Sequence, residues 1–168
     1  MTRKKTRKRK SIPWNKGRTV GQREPLTRTQ VTRIKKHLAK RGVAGLRDLA
    51  LFSTAIDTML QSPDLLGLRV KDVRKRNRVM RKTLDLATAN SGRGIRCTLS
   101  KATMNALEDW IIQSEKKPSN YLFTRRTGGS LKAITARQLS RLVKDWAAGI
   151  GLDPSCYGIE SLRRTRSI

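Results

Sequence analysis

Histidine and cysteine are nearly missing from this sequence, which has one histidine, His37, and two cysteines, Cys97 and Cys156, in 168 residues. A zinc site takes about four nitrogen or sulfur ligands held together, and these three scattered residues cannot supply it. Two isolated cysteines do not form a disulfide scaffold either, and are expected as reduced, partly buried thiols. No apolar run of signal-peptide length opens the chain, and no later stretch approaches the ~18 apolar residues of a membrane span. The expectation is a cytoplasmic, nucleoid-associated protein with no membrane partner. Nucleotide-hydrolase and serine-hydrolase signatures are missing too, because there is no Gly-Lys-Ser/Thr phosphate loop and no Gly-x-Ser-x-Gly elbow. No cofactor is implied. Acidic residues are the last scarcity, with 12 Asp plus Glu against 39 Lys plus Arg and a formal net charge of +27.

Positive charge is what the sequence has in excess. A chain this basic repels itself unless a polyanion neutralises it. Membrane surfaces and acidic proteins attract such a chain, but nucleic acid presents the densest regular array of phosphates and is the partner implied. Residues 1–25 hold ten Lys/Arg and one Glu, a third of the net charge. The rest of the chain is therefore basic in its own right. The opening segment carries Arg3, Lys4, Lys5, Arg7, Lys8, Arg9 and Lys10. It buries too little to offset its ordering entropy, so it is expected as a disordered arm that orders on phosphate. Residues 11–25, with Pro13, Gly17, Gly21 and Pro25, continue as a linker in which Trp14 is a possible docking contact. The division expected is an arm and linker over 1–25 and one domain over 26–168, a length that buries a core without staples.

From Thr27 the pattern becomes helical. Thr27 and Gln30 form a capping-box signal; Val31, Ile34 and Leu38 share one face, and Gly42 stops the helix. Arg28, Arg33, Lys35 and Lys36 occupy the opposite face as candidate phosphate contacts. A second helix over about 44–60 has Leu46, Leu49, Ala50, Ser53, Ile56 and Leu60 as its buried stripe. Ser62-Pro63-Asp64 reads as a restart with serine as cap and proline at the first helical position. Between Val70 and Leu99 the period shortens towards two. Val79, the stretch 83–87, and Ile95, Cys97 and Leu99 then suggest short antiparallel strands turned at Asn90-Ser91-Gly92. Ser100 caps a helix with Met104, Leu107 and Ile111 inside. A loop with Gly128 and Gly129 follows, and then a helix through Leu139, Leu142, Val143, Trp146, Ala147 and Ile150. A last helix starts near Ser161. His37, on a lysine-rich helix without neighbouring carboxylates, reads as a surface or half-buried side chain.

Three runs in order carry a resemblance. RDLALFSTAIDTMLQSPDLLGLRVKDV, Arg47 to Val73, resembles the first conserved box of the tyrosine recombinases (phage integrases), where a helix ends in Thr-Gly-Leu-Arg and a carboxylate and Leu-x-x-Leu-x-x-x-Asp-Val follow. YGIESLRRTRS, Tyr157 to Ser167, resembles their second box, His-Ser-Leu-Arg-Arg-Thr at its core. NSGR, Asn90 to Arg93, stands where many members have Lys-Thr-Gly-Arg in a hairpin. The resemblance implies an α+β, mainly α fold: a recombinase catalytic-like domain with a small antiparallel sheet, lacking the C-terminal segment that carries the nucleophile.

In that family a tyrosine attacks a DNA phosphodiester, two arginines clamp the non-bridging oxygens, and histidine and lysine handle protons. Arginine suits the clamp because its planar fork donates two hydrogen bonds and stays charged. Carried onto this chain, the first clamp arginine falls on Gln61, the hairpin lysine on Asn90 and the box-two histidine on Glu160. Arg163 keeps the second clamp position, and Asp64 the carboxylate that steadies the first box. The nucleophile of the family lies beyond the second box, and Tyr121 and Tyr157 read as packing residues. The expected function is that of a DNA-binding, integrase-like protein of a mobile element that no longer cuts DNA. Arg163, Arg164 and the arm would contact duplex DNA, with oligomerisation on DNA or with a full-length recombinase possible. Two alternatives are a fragment of an active recombinase and, from another class, a basic structural protein of a ribonucleoprotein.

Overall fold

The computed structural model describes residues 23–125 and 131–165. The arm cations Arg3 to Lys10, Trp14 and the Gly128-Gly129 loop lie outside the described residues. The elements run α1 (Arg28–Ala39), α2 (Val43–Thr58), α3 (Ser62–Gly67), α4 (Val70–Val73), β1 (Thr83–Ala87), β2 (Gly94–Thr98), α5 (Lys101–Gln113), α6 (Ala136–Gly149) and α7 (Ile159–Arg164), with a 3-10 turn at Pro154–Cys156 before α7. Helices dominate and the one sheet is a two-stranded antiparallel ladder, Thr83 opposite Thr98 through Ala87 opposite Gly94. This is the mainly helical α+β architecture expected. No described helix is long and apolar enough to cross a membrane.

Local chemistry sets most boundaries. Thr27 Oγ1 accepts from the Gln30 amide at 3.3 Å while the Gln30 side chain accepts from the Thr27 amide at 2.8 Å, the reciprocal box that satisfies two end donors of α1. Gly42 does not cap α1, which ends at Lys40. With φ +57 it instead turns the chain into α2, a conformation that disfavours residues with a Cβ. Ser100 caps α5 as expected, accepting from the Thr103 amide at 3.3 Å. Ser62 does not cap α3: the extended residue before it is Gln61, which makes no side-chain cap bond, and Ser62 lies inside the first turn. Val79 lies outside both strands and is 52% exposed, because its segment forms a tight turn paired to the chain by the isolated bridge between Arg74 and Met80 instead of a strand ladder.

Helix α2 departs most from expectation. Its apolar stripe was to be one face, yet Leu46 and Leu49 are half-buried while Arg47, Asp48, Leu51, Phe52, Thr54 and Ala55 are buried. The reason is tertiary: α1, α5, α7 and β2 all pack on it, so it is enclosed all round. Phe52 meets Trp146 of α6 edge-on, ring centres 5.5 Å apart and planes at 82°, the arrangement that aligns one ring's positive edge with the other's negative face. Asp48, fully buried, accepts from Arg47 Nη2 at 2.9 Å and from Trp146 Nε1 at 3.4 Å, and Arg47 Nη1 donates to the Thr124 carbonyl at 3.1 Å. One ion pair thereby joins α2, α6 and the segment after Tyr121.

Two outcomes follow from this packing. Replacing Asp48 with alanine leaves the Arg47 guanidinium buried without its carboxylate, and should remove about 3–5 kcal/mol of unfolding free energy. Urea denaturation measures this, and a loss no greater than the roughly 0–1 kcal/mol of an exposed pair would deny the network its role. Cys97 is buried, its Sγ 3.7 Å from the Thr58 carbonyl, and burial pushes its thiol above the ordinary range. Less thiolate and less access at pH 8 mean that a disulfide reagent should modify half-buried Cys156 first and Cys97 only as the chain unfolds. Equal rates in the native protein would contradict that burial.

Candidate functional site

Three separate stretches of chain converge on one open pocket of about 230 Å³, lined by Thr58, Met59, Leu60, Gln61, Asp64, Thr88, Asn90, Ser91, Ile95 and Arg163. The α2–α3 corner supplies the first wall. Met59 closes α2 in the left-handed region, φ 51, its amide bonded to the Ala55 carbonyl, which turns the chain so that Gln61 stands at the mouth. The connection between β1 and β2 supplies the second. It is held by Thr88 N to Arg93 O and Gly92 N to Thr88 O, both 2.9 Å, and by the Thr88 and Ser91 hydroxyls at 2.8 Å; Gly92 takes φ +64. Helix α7 supplies the third. Ser161 and Leu162 are buried beneath it, and Thr165 Oγ1 donates to the Ser161 carbonyl at 2.6 Å, which leaves Arg163 on the exposed side.

Two hydrogen bonds fasten the first two walls to one another. Asp64 Oδ1 accepts from the Ala89 amide at 2.7 Å, joining α3 to the hairpin turn. Asn90 Nδ2 lies 3.4 Å from Gln61 Oε1, so the side chains at two of the expected positions face each other directly. Glu160 is not in the wall but reaches Arg163, Oε2 to Nη1 at 3.4 Å, with side-chain exposures of 58% and 42%. The structure thus brings together Gln61, Asn90, Asp64 and Arg163, with Glu160 at the edge. Among the ten lining residues the charges are one guanidinium and one carboxylate. In a chain of net charge +27 the pocket is close to neutral.

The remaining candidates are dispersed. Arg164, adjacent in sequence to Arg163, lines a different cleft of about 570 Å³ beside Arg28 and Lys35, and donates to the Arg23 carbonyl at 3.2 Å. Arg33, expected as a phosphate contact, instead donates to the Ile150 carbonyl at 2.7 Å, at the end of α6. His37 is half-buried against Gly149, where an added Cβ would come within 2.6 Å of its Nε2; it is a packing residue. Tyr157 is buried and its hydroxyl accepts from Gln30 Nε2 at 3.3 Å, while Tyr121 lies under the Arg69 guanidinium, 4.3 Å from ring centre to Cζ. Among the described residues no group of three His, Cys, Asp or Glu could hold a metal ion. Sequence reasoning missed the Met59 and Ile95 walls and the two side-chain pairs. Only Glu160–Arg163 had a sequence signal, its i,i+3 spacing on a helix.

The comparisons with known proteins agree with this geometry. The phage integrase family model matches residues 24–167. The crystal structure of XerA recombinase superposes with a TM-score of 0.67 at 15% identity, over 83% of this chain and 47% of that one. XerH site-specific recombinase, bound to a palindromic difH substrate, gives 0.65 at 20% identity, over 88% and 42%. The Tn1549 transposon integrase, in complex with circular intermediate DNA, gives 0.61 at 20% identity, over 89% and 52%. The chain therefore spans about half the length of these structures. No curated protein sequence matches it. With three boxes meeting at one pocket and the family model covering most of its length, the chain belongs to the phage integrase family, the tyrosine recombinases.

Proposed function

We propose that this chain is a DNA-binding, cytoplasmic member of the family whose pocket holds a duplex phosphate without breaking it, acting as an accessory factor, repressor or remnant of a mobile element. A single observation carries the reading: the one guanidinium in the pocket, Arg163, has Glu160 beside it, and the opposite wall presents Gln61 and Asn90, both neutral. Charge that develops on a phosphate in the transition state needs fixed positive donors. Losing one such donor costs about 10²–10³ in rate, and here Gln61 stands where the resemblance implies a clamp arginine and Asn90 where it implies a lysine. Glu160 adds a carboxylate where a proton-handling histidine is implied. Neutral amides still donate hydrogen bonds to a phosphate oxygen in the ground state, so binding and cleavage separate. The arm over residues 1–25 adds sequence-independent contacts in this reading.

A second reading, one segment of an active recombinase, has the span of the chain in its favour, about half of each similar structure. The pocket and its edge count against it, because Gln61 and Asn90 in the wall and Glu160 beside Arg163 remain as they are whatever sequence accompanies them. The ribonucleoprotein alternative has only the net charge in its favour.

The electrostatic expectation is a fall in duplex affinity of the order of 10³-fold or more between 50 and 200 mM salt, as for six or more neutralised phosphates. A gel shift across that range measures it, and a flat response would remove the basis of the reading. Glu160→Gln should tighten duplex binding a few-fold by releasing Arg163, and Arg163→Gln should weaken it; reversed or absent effects would place the phosphate elsewhere. Incubated with a nicked suicide duplex, the chain should shift the DNA and yield no covalent adduct on a denaturing gel. An adduct would sink the proposal of inactivity.

A further inference from the structure

The densest run of positive charge in the described residues does not face the pocket. Residues 74–82 read RKRNRVMRK, six cations in nine positions with no acid among them. They form a tight hairpin before β1. Lys75 N bonds to the Val79 carbonyl at 2.9 Å and Arg78 N to the Lys75 carbonyl at 3.0 Å, and Arg74 pairs with Met80. This is a three-residue loop whose last position takes the left-handed conformation, a place that favours glycine or asparagine. Arg78 occupies it with φ 65. A cation is kept where a residue without a Cβ would fit with less strain, so backbone geometry does not account for it.

Charge does not account for it either. Arg74 Nε closes the loop on the Arg78 carbonyl at 3.2 Å. The side chains of Lys75, Arg76, Arg78, Arg81 and Lys82 have no hydrogen-bond or ion-pair partner among the described residues, and all five residues are exposed. Five cations held together on one projection repel one another until a polyanion arrives. A groove of about 890 Å³ runs beside the loop, lined by Arg78, Lys82 and Lys101 together with the carboxylates of Asp57 and Glu108. The two carboxylates offset most of that positive charge within the groove, whereas the loop carries no acid and keeps its full charge.

Position decides what the loop touches. The turn carrying Asn90 closes one end of the β1–β2 ladder, and the 74–82 hairpin enters the other. Five paired residues, four intervals at a rise of roughly 3.3 Å each, separate the two ends by about 13 Å, more than the screening length of about 8 Å at physiological salt. The two ends therefore act as independent electrostatic sites. We propose that the 74–82 hairpin is a second phosphate-binding surface, which takes the backbone of a separate DNA duplex and lets one chain bridge two duplexes. The bridging half rests on the pocket holding the first.

The experiment uses the full chain with one short duplex fixed to beads and a second, labelled duplex in solution, supplied either as DNA or as double-stranded RNA of the same sequence. The triple variant R76Q/R78Q/R81Q alters only exposed side chains, and an unchanged melting temperature confirms its fold. It should bind a single DNA duplex within about threefold of the unaltered chain, yet capture at least tenfold less of the labelled DNA. Full capture by the triple variant would overturn the proposal and leave bridging to the arm or to a second copy. Loss of single-duplex binding would overturn it as well, making the hairpin part of one continuous footprint. Capture of RNA alone would overturn the choice of partner. R163Q separates the two readings. If it leaves single-duplex affinity unchanged, the pocket proposal fails, whereas a capture defect confined to the triple variant still assigns phosphate binding to the hairpin.

Discussion

The buried pair of Arg47 and Asp48 is the constraint on which the arrangement of this domain depends. Two charges enclosed in α2 have to be satisfied by their surroundings, and each satisfaction names a partner element. Asp48 takes the Trp146 indole N–H from α6, and Arg47 reaches the Thr124 carbonyl beyond α5. Arg41, just past the end of α1 and partly exposed, lies 3.8 Å from Asp48. Such a pair adds little net stability over a well-packed apolar equivalent, because desolvating both charges offsets their attraction. What it adds is registration, since sliding α6 or the 121–125 segment by one residue would strand a buried donor or acceptor. Lys116 sits beside the same network, bonded to Thr124 Oγ1 at 2.8 Å. Burial and then the nearby Arg47 guanidinium hold its ammonium below the ordinary lysine range.

That registration reaches the pocket through α2. Thr58 at its end accepts the Cys97 thiol, Met59 reverses the chain, and Gln61, Asp64 and the Asn90 turn follow in fixed relation. The pocket is consequently well formed although its charges differ from those the family resemblance implies. Frame and chemistry are separable here because different side chains carry them: the frame uses buried atoms and backbone bonds, and the chemistry uses the exposed tips of Gln61, Asn90, Glu160 and Arg163. Replacing an exposed tip leaves the buried frame intact.

How legible this was in the sequence follows the same division. The capping boxes and the stripe of α6 are local, and Thr27, Ser100 and the positions from Leu139 to Ile150 could be read from spacing alone. Helix α2 is not legible as a one-sided stripe because neighbours pack on all its sides. Arg47 and Asp48 look like solvent residues until their partners, 98 positions away in the case of Trp146, are known. Gln61, Asn90 and Arg163 were found by resemblance, but their meeting required the tertiary fold. The 74–82 hairpin is legible as composition, although the shortened period of its surroundings reads as a strand region. Its turn type depends on Arg78 adopting a conformation that arginine does not announce.

The distribution of charge then shows how, in the proposed reading, a strongly basic protein can combine a nearly neutral pocket with attraction for a duplex. Attraction over a duplex sums many phosphates, and any exposed cation within reach contributes, whether on α1 or on the arm. Stabilising a transition state is a local matter, because the donors have to lie about 3 Å from the oxygen on which charge develops. Cations beyond a screening length of roughly 8 Å are attenuated by salt before they act there. Affinity can therefore be supplied from the periphery and cleavage cannot. A surface that keeps adding lysine and arginine at its edges gains grip, and nothing it gains there replaces a guanidinium at position 61.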